Sequence, residues 1–173
     1  MDDDLKIGQA LEKRGVSRRD FMRFAGTMAA VLALPHTQGE IIAHALETAP
    51  RLPVIWLEFQ DCAGNTESFL RASNPSVADI VLDVLSVDYH ETIMAAAGHQ
   101  AEHNLQETVN NHPFLLVVEG AIPTKDGGIY CKIAGRTAMD ILAEVAPKAS
   151  AIIAIGTCAT FGGVQAAAPE RAF

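Results

Sequence analysis

The chain has 173 residues, of which 49% are apolar and 20% are charged, as in an ordinary soluble protein with one core. Its formal net charge is −8, and residues 46–173 carry 7 Lys/Arg against 15 Asp/Glu, which disfavours a nucleic-acid partner because phosphate binding needs a basic face. Three cysteines do not make a disulfide framework, and no apolar run reaches the roughly 18–20 residues of a membrane span.

The N-terminal segment, residues 1–45, has the pattern of an export signal. Arg18 and Arg19 stand in S-R-R-D-F-M-R, a twin-arginine motif that an export receptor reads. The apolar stretch Phe24–Pro35 has the length of a signal h-region, and Ala43-His44-Ala45 supplies a cleavage site of small residues. The alternative is an amphipathic N-terminal helix. The order of the parts favours twin-arginine export to the periplasm, a route that carries proteins already folded around a cofactor.

After a linker at residues 46–53, short apolar runs alternate with helical patterns. Strands are predicted where the runs are short and apolar, at Val54–Phe59, Asp79–Ser86, Phe114–Val118 and Ala151–Ile155. Helices are predicted at Thr66–Ala72, Ala97–Asn110, Thr137–Ala146 and from Val164. Loops or turns are predicted at Tyr89–Met94, Thr124–Gly128 and Gly156–Gly163. This β-α order predicts an α/β fold over residues 54–173, with a parallel sheet and helices on both faces.

The last predicted helix is barely one turn long when the chain stops at Pro169–Phe173. A sheet of this order is expected to continue with further elements. We therefore interpret the sequence as a fragment or a truncated gene product, whose α/β domain is incomplete at its C-terminus.

Two cysteines each follow a predicted strand. Cys62 lies between Asp61 and Gly64, just past the first strand, and Cys158 lies in G-T-C-A-T-F-G-G, just past the fourth. Ligands of open α/β sheets gather at the carboxyl ends of the strands, so we expect the two thiols to meet there. Thiolates bind soft metals, and the pair therefore predicts a metal or cluster site. The alternative is a buried structural thiol, which is our interpretation of Cys131.

Other polar residues are expected near the same edge. Asn65 stands at the C-x-x-C position relative to Cys62, where an amide is a poor iron ligand. Glu67 fits either the first turn of a helix or a role in the site, and Glu119, at the end of the third strand, either orients a ligand or is solvated. The histidines have no metal-binding spacing, and we expect His90, His99, His103 and His112 at the surface or on a polar rim.

At these residues the sequence resembles the small subunit of [NiFe] hydrogenases of the periplasmic or membrane-bound uptake type. The likeness runs from about Val54 to Ala168 and rests on the stretches D-C-A-G-N-T-E-S-F-L-R-A, L-D-V-L-S-V-D-Y-H-E-T-I-M-A-A-A-G, V-V-E-G-A-I-P-T, G-I-Y-C-K-I-A-G-R-T and A-I-G-T-C-A-T-F-G-G-V-Q-A-A. It implies a flavodoxin-like domain that holds a proximal [4Fe–4S] cluster beside the Ni–Fe site of a large subunit.

The resemblance assigns the cluster ligands unevenly to this chain. Cys62 matches the first cluster cysteine and Cys158 the third, whereas the second falls on Asn65 and the fourth lies in a G-C-P-P motif beyond residue 173. A [4Fe–4S] cluster is held by four thiolates, so the ligand set present here is incomplete. Candidates for replacing a ligand or orienting the group are Asp61, Asn65, Glu67 and Glu119.

The resemblance also implies a function and partners. The chain would be a subunit of an enzyme whose active site lies on the large subunit, and it would relay electrons from H₂ oxidation through iron–sulfur clusters. Its partners would be that large subunit, in a heterodimer, and an electron acceptor such as a membrane cytochrome b. Two alternatives stay open: a flavodoxin-like module for flavin or another phosphate-bearing ligand, and a non-functional truncated product.

Overall fold

The computed structural model describes Arg19, Met22, Arg23 and residues 51–167. The predicted export signal and most of the predicted linker lie outside the described residues. The described chain falls into two compact units. The larger is made of Pro53–Val77 and of the chain from Ser86, and the smaller includes Leu52 and Ala78–Leu85.

Strands and helices alternate along the chain, which confirms the predicted α/β fold. The strands are β1 (Leu52–Glu58), β2 (Leu85–His90), β3 (Leu115–Glu119), β4 (Lys132–Ile133), β5 (Arg136–Thr137) and β6 (Ala151–Ile155). Within residues 51–167 the helices are α1 (Gly64–Leu70), α2 (Val77–Asp83), α3 (His99–Asn111), α4 (Ala138–Val145) and α5 (Gly156–Phe161). Three short 3₁₀ turns lie at Lys125–Gly128, Ala146–Lys148 and Val164–Ala166. None of the described helices has both the length and the hydropathy needed to span a bilayer.

The main sheet has the strand order β2-β1-β3-β6, and a separate antiparallel pair joins β4 to β5. Strand β3 is parallel to both of its neighbours, with Glu58 of β1 and Ile155 of β6 in register with Glu119. The carboxyl ends of β1, β3 and β6 therefore lie at one edge of the sheet. Strand β6 is exposed along most of its length, including Ile152 and Ile153.

Both faces of the two central strands, β1 and β3, are covered, as their continuous apolar runs predict. One face of β1 and β3 packs against apolar residues of α3 and α4, in a core of Ile55, Leu57, Leu105, Val109, Leu116, Val118, Ala138, Ile141 and Val145. On the other face Trp56 lies against Phe69 of α1, with ring centroids 5.6 Å apart. Helices therefore pack on opposite faces of the two central strands.

The predicted second strand, Asp79–Ser86, is wrong. Helix α2 occupies Val77–Asp83, and the strand follows at Leu85–His90, partly inside the predicted loop Tyr89–Met94. In a short apolar run, periodicity alone cannot distinguish a buried strand from a buried helix. The signal that decides lies upstream, because Pro75 followed by an acidic residue in the first turn, Asp79, is a helix start.

The segment after β6 also differs from prediction. Gly156–Gly163 was expected to be a turn, but helix α5 begins directly at Gly156 and the left-handed Gly162 ends it. The helix predicted from Val164 is a single 3₁₀ turn within the described residues. Cys158 therefore lies inside a helix instead of a loop.

Candidate functional site

The two candidate ligand cysteines lie beyond the same edge of the sheet. Cys62 comes four residues after Glu58 of β1, and Cys158 comes three residues after Ile155 of β6. Glu58 and Ile155 are both in register with Glu119 of the central strand β3. Cys62 is exposed and Cys158 half-buried, and neither forms a disulfide. Their shared edge follows from the parallel topology, as predicted for an open α/β sheet.

Backbone hydrogen bonds lock the ends of β1 and β3 together just before Cys62. The N–H of Phe59 donates to the carbonyl of Glu119 at 2.9 Å, and Gln60 and Ala121 exchange both of their backbone bonds. Gly120 sits between these bonds at a φ of 90°, and a Cβ there would lie 2.9 Å from the Gln60 backbone. Only glycine lets the two chains approach this closely.

The Cys62 turn is shaped by its own acidic neighbour. A carboxylate oxygen of Asp61 accepts the N–H of Ala63 at 3.0 Å, and Ala63 adopts a left-handed conformation with φ of 55°. This turn directs the chain into α1, whose N-cap is Ala63. Burial raises the pKa of the Asp61 carboxyl, and the charges of Glu119 and Glu58 raise it further, against the lowering effect of the bond from Ala63.

Glu119 is the polar centre of this edge. Its side chain is completely buried. Three N–H groups donate to it: Trp56 Nε1 to Oε2 at 3.1 Å, and the backbone N and Nδ2 of Asn65 to Oε1 at 2.9 and 3.1 Å. The Thr66 hydroxyl lies 2.8 Å from Oε2 as a further donor. Because burying a carboxylate is costly without such partners, these bonds fix α1 against β1 and β3.

Asn65 links this centre to the Cys158 segment. A Cβ built on Gly156, at the start of α5, would lie 2.4 Å from Asn65 Nδ2. The Asn65 side chain therefore fills the space above a residue that stands two positions before Cys158. Its amide nitrogen is already bonded to Glu119, so Asn65 holds the carboxylate on one side and packs against the β6–α5 turn on the other.

A second buried group surrounds Glu58, whose side chain is 8% exposed. Its oxygens are contacted by the hydroxyls of Thr66, at 2.8 Å, and Thr92. Thr66 has a single hydroxyl proton, so it bridges Glu58 and Glu119 and donates to one of them at a time. Glu58 was visible in the sequence as the one charged residue of an otherwise apolar strand, but its partners were not predicted.

His90 is fully buried, which overturns its predicted place at the surface or on a polar rim. It ends β2 with its ring 5.0 Å from that of Trp56, and its Nδ1 lies 3.6 Å from a carboxylate oxygen of Glu58. Burial lowers the pKa of His90, and the charges of Glu58 and Glu119 oppose that shift. The other three histidines are exposed, as expected.

The carboxylates of this edge are crowded. One oxygen each of Glu58, Asp61 and Glu119 lie within 4.8 Å of one another. Glu91 lies beside them, and burial raises its pKa to about 8, with the charges of Glu58 and Asp61 adding to the shift. One oxygen of Asp61 and one of Glu91 are buried without a hydrogen-bond partner among the described residues.

The remaining candidates lie further from this centre. Glu67 is exposed and pairs with Arg71 one helical turn on, at 3.4 Å. Cys131 is half-buried and packs against the apolar core, and burial raises the pKa of its thiol, helped by the charges of Asp61 and Glu91. A buried structural thiol was predicted for Cys131, whereas the structure leaves it partly exposed at the margin of the core.

The donor set of the described residues does not fit a four-thiolate cluster. Cys62 and Cys158 supply two thiols at the edge, whereas a [4Fe–4S] cluster is held by four. Asn65, at the position that the resemblance assigns to a third thiolate, has its amide nitrogen engaged with Glu119. Glu119 in turn has donors on both oxygens, so binding iron would require it to release hydrogen bonds.

Comparison with known proteins decides the family. Residues 62–173 match the family described as NADH ubiquinone oxidoreductase, 20 Kd subunit. The chain is 49% identical over 163 residues to the periplasmic [NiFe] hydrogenase small subunit 1 of Nitratidesulfovibrio vulgaris, a match that covers 94% of this chain and 51% of that protein. The chain belongs to this family, among its [NiFe] hydrogenase small subunits. The resemblance found in the sequence is confirmed.

Further relatives agree with this membership. The quinone-reactive Ni/Fe-hydrogenase small chain of Wolinella succinogenes is 46% identical over 164 residues, covering 92% of this chain and 46% of that one. Among solved structures, the reduced, active Ni-Fe-Se hydrogenase of Desulfomicrobium baculatum matches with a TM-score of 0.66 and 40% identity, over 69% of this chain and 46% of that one. The chain spans about half the length of these relatives.

The contact between Asn65 and Gly156 gives a direct test of this site. Gly156→Ala would push Asn65 Nδ2 away from Glu119, and losing a hydrogen bond to a charged group costs about 1.5–3 kcal/mol. Gly135→Ala is the matched control, because Gly135 also has a left-handed φ, 81° against 79°, but nothing lies within 4 Å of its added Cβ. We expect Gly156→Ala to lower the free energy of unfolding by that much more than the control does, measured by urea denaturation.

In an Asn65→Ala background, Gly156→Ala should lower the free energy of unfolding by less, because the clash between the added Cβ and the Asn65 amide is then absent. Equal destabilisation by the two single glycine substitutions would contradict the placement of Asn65.

Proposed function

We propose that this chain acts as the electron-transfer small subunit of a [NiFe] hydrogenase, contributing its N-terminal domain. Its family membership is the observation that carries this proposal. The placement of Cys62 and Cys158 beyond one edge of the sheet supports it, since thiolates at that edge are where a redox group would be held. The relatives do not favour the alternative of a flavin- or phosphate-binding module.

The proposed partner is a hydrogenase large subunit, which would carry the Ni–Fe site and cover the edge beside Cys62. The named relatives are small subunits of hydrogenases, and one is called periplasmic and another quinone-reactive. With the twin-arginine motif at Arg18 and Arg19, these names support a periplasmic location. A membrane cytochrome b is the proposed acceptor of the electrons.

The proposed cofactor is an iron–sulfur cluster at the Cys62–Cys158 edge, the [4Fe–4S] cluster that the resemblance implies. Cys62 and Cys158 would be its ligands from this chain. Such a cluster supplies one-electron chemistry when bound, and hydrogen bonds and burial around its sulfurs tune the potential. The chain's own contribution is a rigid edge: Glu119 and Asn65 hold α1 and α5 in place, whereas the side chain of Asn65 supplies no thiolate.

Partner binding tests the proposed function. The full chain, produced together with an affinity-tagged large subunit of the source organism's hydrogenase, should be retained with it on purification in a one-to-one ratio. The measurement is the amount of the chain bound per large subunit, with an unrelated tagged protein as the control. A large subunit that is produced and soluble but retains none of the chain would contradict the proposal.

Iron retention tests the ligand assignment independently. After anaerobic reconstitution with iron and sulfide, the chain should hold less iron than one complete four-iron cluster, because it offers two thiolates at the edge. Asn65→Cys should raise the iron retained per chain, measured by iron analysis. Asn65→Ser is the control, because serine is close to cysteine in size but supplies no thiolate, and it should not raise the retained iron. Full four-iron occupancy in the unmodified chain would show that the ligand set is wrong.

A further inference from the structure

The hydroxyl of Thr66, in the first turn of α1, has three polar neighbours in a buried place. Its Oγ1 lies 2.8 Å from Glu119 Oε2, 2.8 Å from Glu58 Oε1 and 3.4 Å from His90 Nε2. Thr66, His90 and Glu119 are buried, and the side chain of Glu58 is 8% exposed. A hydroxyl has one proton to donate and two lone pairs that accept. All three contacts are therefore hydrogen bonds only if two of the neighbours donate to Thr66.

The ring of His90 is one of these donors. The backbone N–H of Thr92 donates to its Nδ1 at 3.3 Å, so Nδ1 carries no proton, because an N–H group cannot accept. The proton of the neutral ring is then on Nε2, which faces the Thr66 hydroxyl. Burial lowers the pKa of His90, in agreement with an uncharged ring, whereas a charge on Glu58 or Glu119 opposes that shift.

The second donor is a carboxylic acid, and Glu119 does not fit that role. Three N–H groups, one from Trp56 and two from Asn65, donate to its two oxygens at 2.9 to 3.1 Å. Such groups can only donate, and hydrogen bonds of this kind favour the ionised form of a carboxyl group. Glu119 is therefore the acceptor of the Thr66 proton.

Glu58 has the opposite surroundings. Its oxygens contact the hydroxyls of Thr66 and Thr92, which can accept as well as donate, and lie 3.6 Å from the unprotonated Nδ1 of His90. None of these contacts among the described residues is with an N–H donor, a lysine or an arginine. Glu58 is therefore the carboxyl group of the pair that can keep a proton and donate it to Thr66.

The other ionisable groups that face Glu58 are acidic. One oxygen each of Glu58, Asp61 and Glu119 lie within 4.8 Å of one another, and a carboxyl oxygen of Glu91 accepts the backbone N–H of Glu58 at 3.0 Å. Burial raises the pKa of Glu91 to about 8, and a charge on Glu58 or Asp61 raises it further. Repulsion between such close groups of one sign favours keeping a proton on one of them.

We propose that Glu58 is a buried proton-binding site, which holds a proton at neutral pH and donates it to the Thr66 hydroxyl. Thr66 in turn donates to the ionised Glu119, so the hydrogen bonds run in one direction from β1 through α1 to β3. One proton lets two buried carboxyl groups share a hydroxyl without opposing charges. Its loss leaves two charges on that hydroxyl, so the attachment of α1 weakens as the pH rises above neutral. This site requires neither a cofactor nor a partner.

Infrared difference spectra test the proton directly, because a carboxylic acid and a carboxylate absorb at different frequencies. The full chain is measured in a Glu91→Gln background, which removes the neighbouring carboxyl group whose pKa burial raises to about 8. At neutral pH we expect Glu58→Gln to remove a carboxylic-acid C=O band. Glu107→Gln, at an exposed position of α3, is the matched control and should remove carboxylate bands instead.

Urea denaturation tests which of the two carboxyl groups is neutral. An amide resembles a carboxylic acid, because it has one oxygen that accepts and N–H groups that donate, so Glu58→Gln should change the folding equilibrium constant little. Glu119→Gln removes the charge that Trp56 and Asn65 donate to, and it should lower that constant by roughly tenfold or more.

The pH dependence of stability gives a third expectation. At neutral pH the proton of Glu58 is bound in the folded chain and already lost from the unfolded chain, so its stabilising effect falls as the pH rises. In the Glu91→Gln background, Glu58→Gln should therefore reduce the loss of stability between neutral and alkaline pH. Glu107→Gln should leave that loss unchanged.

The outcomes distinguish this site from other placements of the proton. Loss of carboxylate bands instead of an acid band on Glu58→Gln would overturn the proposal. A tolerated Glu119→Gln with a costly Glu58→Gln would place the proton on Glu119 and overturn it as well. If either variant does not fold, the Glu91→Gln chain carries the test by itself. Its acid band should be present at neutral pH and disappear as the pH rises, and absence of that band at neutral pH would contradict the proposal.

Discussion

The arrangement of this edge depends on one buried carboxylate, that of Glu119. It lies at the end of the central strand β3 and accepts hydrogen bonds from Trp56 on β1 and from Asn65 on α1, and it shares the Thr66 hydroxyl with Glu58. A carboxylate with no exposed surface is stable only while such donors stay in place. The strand ends, the Cys62 turn and the first turn of α1 are therefore held as one unit, before any cofactor is considered.

The same carboxylate explains what position 65 does in this chain. Asn65 donates twice to Glu119 and fills the space over Gly156, so it joins the segments that carry the two cysteines. A cysteine there could keep the backbone bond to Glu119 but not the bond from the amide. The side chain thus strengthens the packing of the edge while it leaves the ligand set of a four-thiolate cluster incomplete.

The sequence was sufficient for the parts of the fold that depend on local pattern. Strands β1, β3 and β6 were predicted because their apolar runs are continuous, and the shared edge of Cys62 and Cys158 followed from parallel topology. Strand β2 was misplaced, because an apolar run is ambiguous between helix and strand. The burial of His90 and the partners of Glu119 were not predicted, because they join residues 24 to 63 positions apart, which no local pattern records.

The most direct test of this account is whether the thiols of Cys62 and Cys158 lie within reach of one short cross-linker. In a Cys131→Ser background they are the two thiols of the chain, and a short bifunctional maleimide followed by peptide mass spectrometry measures their link. We expect an intramolecular cross-link in the folded chain that is lost in urea. Modification of both thiols without a link between them in the folded chain would show that Glu119 and Asn65 do not bring the two segments together.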